Sequence, residues 1–241
     1  MKRIFLLFVV ATLTVNTLSA QVLKGILDKV TKTTQSSDNG LSNDDIISGL
    51  KEALRVGTDS STKKLSKLDG FFGDAAIKIL MPEEAKKMEK TLRNFGMGSL
   101  VDKAILSMNR AAEDAANGVG NIFWDAIKQM SIKDGLQILR GDDFAATNYL
   151  KSMTTAQLTE KFRPVIGKSL EKVDATKYWK DVFTAYNKFS GTPVNTDLNA
   201  YVTDKALGGL FYNISLQEQK IRKDPAAQVT DILKKVFGGK S

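Results

Sequence analysis

The strongest constraint on this chain is one apolar stripe. Val101, Ala104, Ile105, Met108, Ala112, Ala115, Val119, Ile122, Phe123, Ala126 and Met130 recur mostly at spacings of three and four. At 100° per residue they fall within about 60° of one line, which is the pattern of a helix with one buried face. A helix cannot shelter such a stripe alone, so other helices must pack on it. The spacing predicts one long helix over residues 99–129, or two abutting ones with Gly118 and Gly120 as the weak point.

The same period runs through most of the chain. Ser42 stands three residues before Asp45, a capping pattern leading into Ile46, Ile47, Leu50, Ala53 and Leu54. Gly70-Phe71-Phe72-Gly73 interrupts the period and predicts a loop fastened to the core by its aromatic pair, in preference to an exposed hook. Pro82, Glu83 and Glu84 open a helix that should stop near Gly96. Ser131 caps a short helix ending at Gly141, and Asp142 or Asp143 caps the next, through Leu150. Thr154 or Thr155 opens another, which Pro164 should kink or restart.

Residues 175–189 place Trp179, Val182, Phe183 and Tyr186 on one face, and Gly191, Thr192 and Pro193 then form a turn. A long helix follows over residues 197–222, in which Gly208-Gly209 suggests close approach by a neighbour or a break more than a hinge. Pro225 begins a last helix carrying Val229, Ile232, Leu233, Val236 and Phe237. No alternating run exceeds four residues, and no Asn-Gly or Asp-Gly turn joins two such runs. The expected fold is all-α: a single compact domain of about eight or nine amphipathic helices over residues 42–238.

Residues 1–20 read as an address. Lys2 and Arg3 precede an apolar run of about a dozen residues, too short for the roughly 20 that span a bilayer as a helix. Asn16, Thr17, Leu18, Ser19 and Ala20 follow, so cleavage of a signal peptide is expected after Ala20. Residues 21–41 hold a short stripe, Val22, Leu23, Ile26, Leu27 and Val30, and a polar linker containing Ser36, Ser37, Asp38 and Asn39. Docking of that stripe onto the bundle is the better reading than an anionic membrane surface. The chain has no Cys to carry a lipid anchor, and no later run is long enough to span a membrane. The expected location is the periplasm or cell envelope.

Composition removes whole classes of chemistry. Without Cys there is no disulfide, thiolate zinc site or thiol nucleophile, and without His there is no Ser-His-Asp triad. The formal net charge is +8, of which Lys2 and Arg3 supply two. The remaining Lys and Arg are spread thinly with no basic-aromatic module, so nucleic acid is not an expected partner. Gly167-Lys168-Ser169 and Gly239-Lys240-Ser241 lack the earlier Gly of a phosphate loop, having Phe162 and Lys234 there. Gly96-Met97-Gly98 and Gly118-Val119-Gly120 lack the third Gly of a dinucleotide fingerprint, with Val101 and Phe123 in its place. No cofactor is expected.

One polar group stands out. Asn109, Arg110 and Glu113 are the candidate binding residues, with Glu113 the candidate acid should the protein be catalytic. Asn109 and Glu113 lie at the edge of the apolar stripe, where they form either a solvated flank or the border of a groove. Arg110 and Asp114 are spaced to pair on one helix face, as are Glu218 and Arg222, the latter bridge worth a few tenths of a kcal/mol. Asp142-Asp143 suits helix capping better than a cation site, since a calcium loop's spacing is missing, and no metal is expected.

Four segments stand out together: Gly49-Leu50-Lys51-Glu52-Ala53-Leu54, Met108-Asn109-Arg110-Ala111-Ala112-Glu113, Ile138-Leu139-Arg140-Gly141-Asp142 with Ala145-Ala146-Thr147, and Glu218 to Arg222 with Asp224-Pro225 and Leu233-Lys234-Lys235-Val236-Phe237. They resemble a bacterial family known as domain of unknown function 4197. Their order along residues 42–238 carries the resemblance. It implies an exported or envelope helical protein and supplies no catalytic residues. The expected function is therefore a non-catalytic binding or structural module of the bacterial envelope, whose partner is an envelope protein or an apolar or anionic ligand. The alternative is a hydrolase of envelope polysaccharide working with carboxylates alone.

Overall fold

The computed structural model describes residues 42–172, 174–188, 193, 196–228, 230–231, 234 and 236. The leader, the N-terminal stripe and the linker lie outside them, as do Gly191, Thr192, Val229, Ile232, Leu233 and Phe237. Asp44–Ser241 forms one compact unit by its backbone contacts.

Its described residues form eight α-helices and no strand. Helix α1 is Asn43–Leu65, with acidic Asp44 and Asp45 in its first turn and Lys63 and Lys64 in its last, each favoured by the end of the helix dipole it occupies. A connection over residues 66–82 leads to a 3₁₀ turn, Glu83–Ala85, and helix α2, Lys86–Asn94. Helices α3 (Gly98–Ala116) and α4 (Gly120–Gln129) divide the long stripe where expected. Gly118 takes φ 75°, a left-handed conformation that suits glycine and ends the first helix. Val101, Ile105, Met108, Ala112, Ala115, Phe123 and Ala126 are all buried, so the stripe is the core face.

Helix α5 (Ile132–Arg140) starts at a complete capping box. The Ser131 hydroxyl accepts from the Asp134 backbone N–H, while the Asp134 carboxylate accepts from both Ser131 groups. These bonds from Ser131 hold the Asp134 carboxyl below its usual range.

Helix α6 (Ala145–Glu171) corrects the sequence reading. A break at Thr154 or Thr155 and a kink or restart at Pro164 were expected, and the helix neither breaks at the threonines nor restarts at Pro164. Thr154 and Thr155 donate their hydroxyls back to the carbonyls of Leu150 and Lys151, at 2.7 and 2.6 Å, instead of capping a new helix. Pro164 costs an interior helix about 3 kcal/mol. Leu158, Phe162, Ile166 and Leu170 flank it at spacings of four, all fully buried, and each contributes roughly 1.5–3 kcal/mol. Burial wins, and the helix continues.

Helices α7 (Ala175–Asn187) and α8 (Leu198–Lys223) follow, α8 capped by Asp197 accepting from the Ala200 N–H. Trp179 and Phe183 are buried as expected. A 3₁₀ turn, Pro225–Ala227, stands where the last helix was expected to begin, and most of that expected helix lies outside the described residues. Helix α6 is the hub: α3, α4, α5, α7 and α8 all pack against it, and α3 also contacts α2 and α8. No helix of the described residues is long and apolar enough to cross a membrane.

Candidate functional site

The site is built around the connection over residues 66–82, which runs without regular helix between α1 and the first 3₁₀ turn. Its tight turn needs glycine at Gly70, where a Cβ would lie 2.5 Å from the Leu65 carbonyl oxygen. Phe71 then inserts fully into the core, with Phe72 half-buried beside it and Lys78 over the Phe72 ring. The aromatic pair thus fastens the loop, as its setting between glycines suggested.

The candidate residues on α3 hold this loop from behind. Glu113 accepts from the backbone N–H groups of Phe71 and Phe72 at 3.0 and 3.2 Å. Its other oxygen accepts from Arg110 at 2.6 Å, and Arg110 reaches on to Asp69. Burial opposes the Arg110 charge, but bonds to Glu113 and Asp69 outweigh it and raise the guanidinium's pKa. One turn away, Asn109 accepts from the Ile79 N–H and donates to the Ile79 carbonyl, at 2.9 and 2.8 Å, as a neighbouring strand would. Asn109 is 0% and Glu113 4% exposed, so neither sits on a solvated flank. The expected Arg110–Asp114 pair does not form; Asp114 accepts from Ser169 on α6 instead. From the other side, Lys64 donates to Asp74 and to the buried Asn213 of α8, and its bond to Asp74 holds that carboxyl below its usual range against the opposing effect of burial.

A second buried glutamate follows the same plan. Glu218 on α8 accepts from the Ala146 and Thr147 N–H groups and the Thr147 hydroxyl, all at the N-terminus of α6. It also takes Arg222, which donates onward to the Ile138 carbonyl near the end of α5. This is no mere local bridge: it caps α6 from 71 and 72 residues away and ties three helices together. Asp142 and Asp143, the expected caps, serve otherwise, Asp142 closing a turn on the Phe144 N–H and Asp143 pairing with Lys223.

In front of the loop lies an open cleft of about 910 Å³, between residues 76–84 and the flank of α8. Asn109 and Glu113 support its wall without lining it. Trp179, Tyr201, Phe211 and Tyr212 supply aromatic surface, while Lys78, Lys151 and Lys205 face Glu83, Glu84 and Asp204 around it. Tyr201 is the central group. Its hydroxyl donates to the Leu80 carbonyl at 2.8 Å and its ring stacks on Trp179 with centroids 6.2 Å apart. Burial, then the charges of Glu84, Glu83 and Asp204, push its pKa up to about 12, so it stays a neutral donor. Sequence reasoning missed this cleft, because its residues come from five separated stretches of the chain and no local spacing joins them.

The family model for "Protein of unknown function (DUF4197)" matches residues 40–238. The chain belongs to the DUF4197 family. The match covers all the described helices, the two buried glutamates and the cleft. No curated protein and no solved structure matches the chain. Membership of DUF4197 therefore brings no established activity, and the chemistry rests on the residues themselves.

Proposed function

We propose that this DUF4197 protein is an exported component of the bacterial envelope that binds a ligand in the cleft without transforming it. The observation that carries the reading is the cleft itself, a concavity whose wall is held by Asn109 and Glu113 through hydrogen bonds to the loop backbone and by Arg110 through the Asp69 carboxylate. Glu113 and Glu218, the buried carboxylates of the described residues, are both committed to backbone N–H groups and an Arg. Such groups support a rigid binding scaffold. Aromatic surface beside three lysines, with Glu83 drawn off by Lys86 and leaving Glu84 and Asp204, suits an amphipathic ligand with an anionic group.

The test uses Trp179, one of two tryptophans in the chain. In a Trp124→Phe background it is the sole reporter. Titration with a long-chain carboxylic acid should give a saturable change in Trp179 emission, weakened at least about tenfold by Lys205→Glu. No change in emission, together with no ligand in the native mass spectrum of protein purified from its own envelope, would overturn the binding reading. Export is tested separately: the N-terminus of that protein should be Gln21, and retention of residues 1–20 would overturn it.

One observation favours a second reading, a carboxylate-only hydrolase of envelope polysaccharide. Glu83, Glu84 and Asp204 share the cleft. Release of reducing sugar ends from envelope polysaccharide, abolished by Glu84→Gln, would replace the binding reading with this one.

A further inference from the structure

A different face of the molecule carries an inference independent of the cleft. Helix α2 buries none of its residues. With α3 it forms a hairpin whose turn is tightly built: Gly96 takes φ 76°, its N–H donates to the Arg93 carbonyl, and the Met97 N–H donates to the Leu92 carbonyl at 2.9 Å. Arg93 bridges the two helices by donating to Glu89 on one and Asp102 on the other, at 2.9 and 2.8 Å. The tip is thus fixed, and it presents apolar side chains to solvent. Phe95 is 75%, Leu100 57% and Met97 40% exposed.

The charges around that tip are unbalanced. Glu89 and Asp102 share Arg93, so that Lys87, Lys90, Arg93 and Lys103 exceed these two acids by two charges, and Lys86 pairs with Glu83 at the far end of α2. Lys87, Lys90 and Lys103 are exposed and have no ion pair among the described residues. An apolar wedge with uncompensated lysines behind it matches an anionic lipid surface, where the wedge enters the acyl boundary and the ammonium groups meet phosphates. A protein partner fits less well, because protein interfaces are depleted in Lys and built on Trp, Tyr and Arg anchors.

We infer that the tip of the α2–α3 hairpin docks on the surface of an anionic phospholipid bilayer, inserting Phe95, Met97 and Leu100 while Lys87, Lys90 and Lys103 hold the headgroups. The protein sits on the membrane peripherally.

The chain has no Cys, so one introduced cysteine can be labelled uniquely. A Met97→Cys variant of the full chain carrying an environment-sensitive fluorophore is mixed with phosphatidylglycerol vesicles, and a Ser152→Cys variant, at an exposed position of α6, is the control. The label at 97 should shift to the blue and the label at 152 should not, which separates tip insertion from any binding by residues 1–20. Phe95→Ser with Leu100→Ser should weaken the response at least about tenfold. Lys87→Glu, Lys90→Glu and Lys103→Glu together should weaken it about a hundredfold, and high salt should imitate them. All seven substituted residues are exposed, and an unchanged circular dichroism spectrum and melting temperature would show that the variants fold. No shift at 97, an equal shift with phosphatidylcholine vesicles, or an equal shift at 152 would each overturn the inference. So would a shift at 97 that needs no lipid and grows with protein concentration, which would assign the tip to a second copy of the chain.

Discussion

Glu113 and Glu218 solve one problem twice. Each offers a carboxylate, with little water around it, to two consecutive backbone N–H groups, and each is neutralised by an arginine on its own helix. Backbone N–H groups in buried positions must find acceptors, and an anion accepts more strongly than a neutral oxygen. The reverse dependence is equally strong, since a buried arginine without its partner is expensive. Glu218→Ala strands the Arg222 side chain, 11% exposed, and uncaps α6, so it should destabilise the protein by about 3–5 kcal/mol. Urea unfolding followed by circular dichroism measures this, and a loss below about 1 kcal/mol would show that α6 does not depend on the cap. From the sequence only the i,i+4 spacing of Glu218 and Arg222 was visible. Their decisive partners lie some seventy residues away, where spacing carries no signal.

At the scale of elements, α8 shows how one position is constrained and its neighbour free. Gly209 faces the loop: a Cβ there would stand 2.7 Å from Cε1 of Phe71, a ring with no exposed surface and no room to retreat. Gly208 faces open space, with nothing within 4 Å of the same atom. Gly209→Ala should therefore destabilise by about 1–3 kcal/mol through overpacking. Gly208→Ala should stabilise by about 0.5–1 kcal/mol through helix propensity. Melting temperatures moving in opposite directions would bear this out, and a common direction would sink it. Helix existence was largely legible beforehand, because Val101, Ile105 and Met108, or Ser131 with Asp134, act on near neighbours. The persistence of α6 through Pro164 was not, because neighbours distant in sequence set the burial of Leu158 and Phe162.

The helical unit as a whole is organised unevenly around α6. Five helices lean on that one rod, and its residues from Ala146 to Leu170 bury every fourth side chain. Helix α2, at the opposite extreme, buries nothing. Local opening costs least where few buried contacts must break. Native-state hydrogen exchange should accordingly find the slowest amides in α6 around Leu150, Leu158 and Phe162, and the fastest helical amides in α2. Comparable protection in both would contradict this hierarchy. Fold class and the helical domain were open to reading from the sequence at this scale, since the helical period recurs along most of residues 42–238. The cleft was not, because a concavity is a property of assembled surfaces and no periodicity encodes it.

The seating of Phe71 against Gly209 has a consequence for biogenesis. Synthesis proceeds from the N-terminus, so residues 66–82 emerge long before α8 exists to receive them. Until α8 has been synthesised, this oily segment has no socket and the nascent chain stays unfinished. A holdase that shields exposed aromatics during that interval is the kind of assistance such a topology calls for.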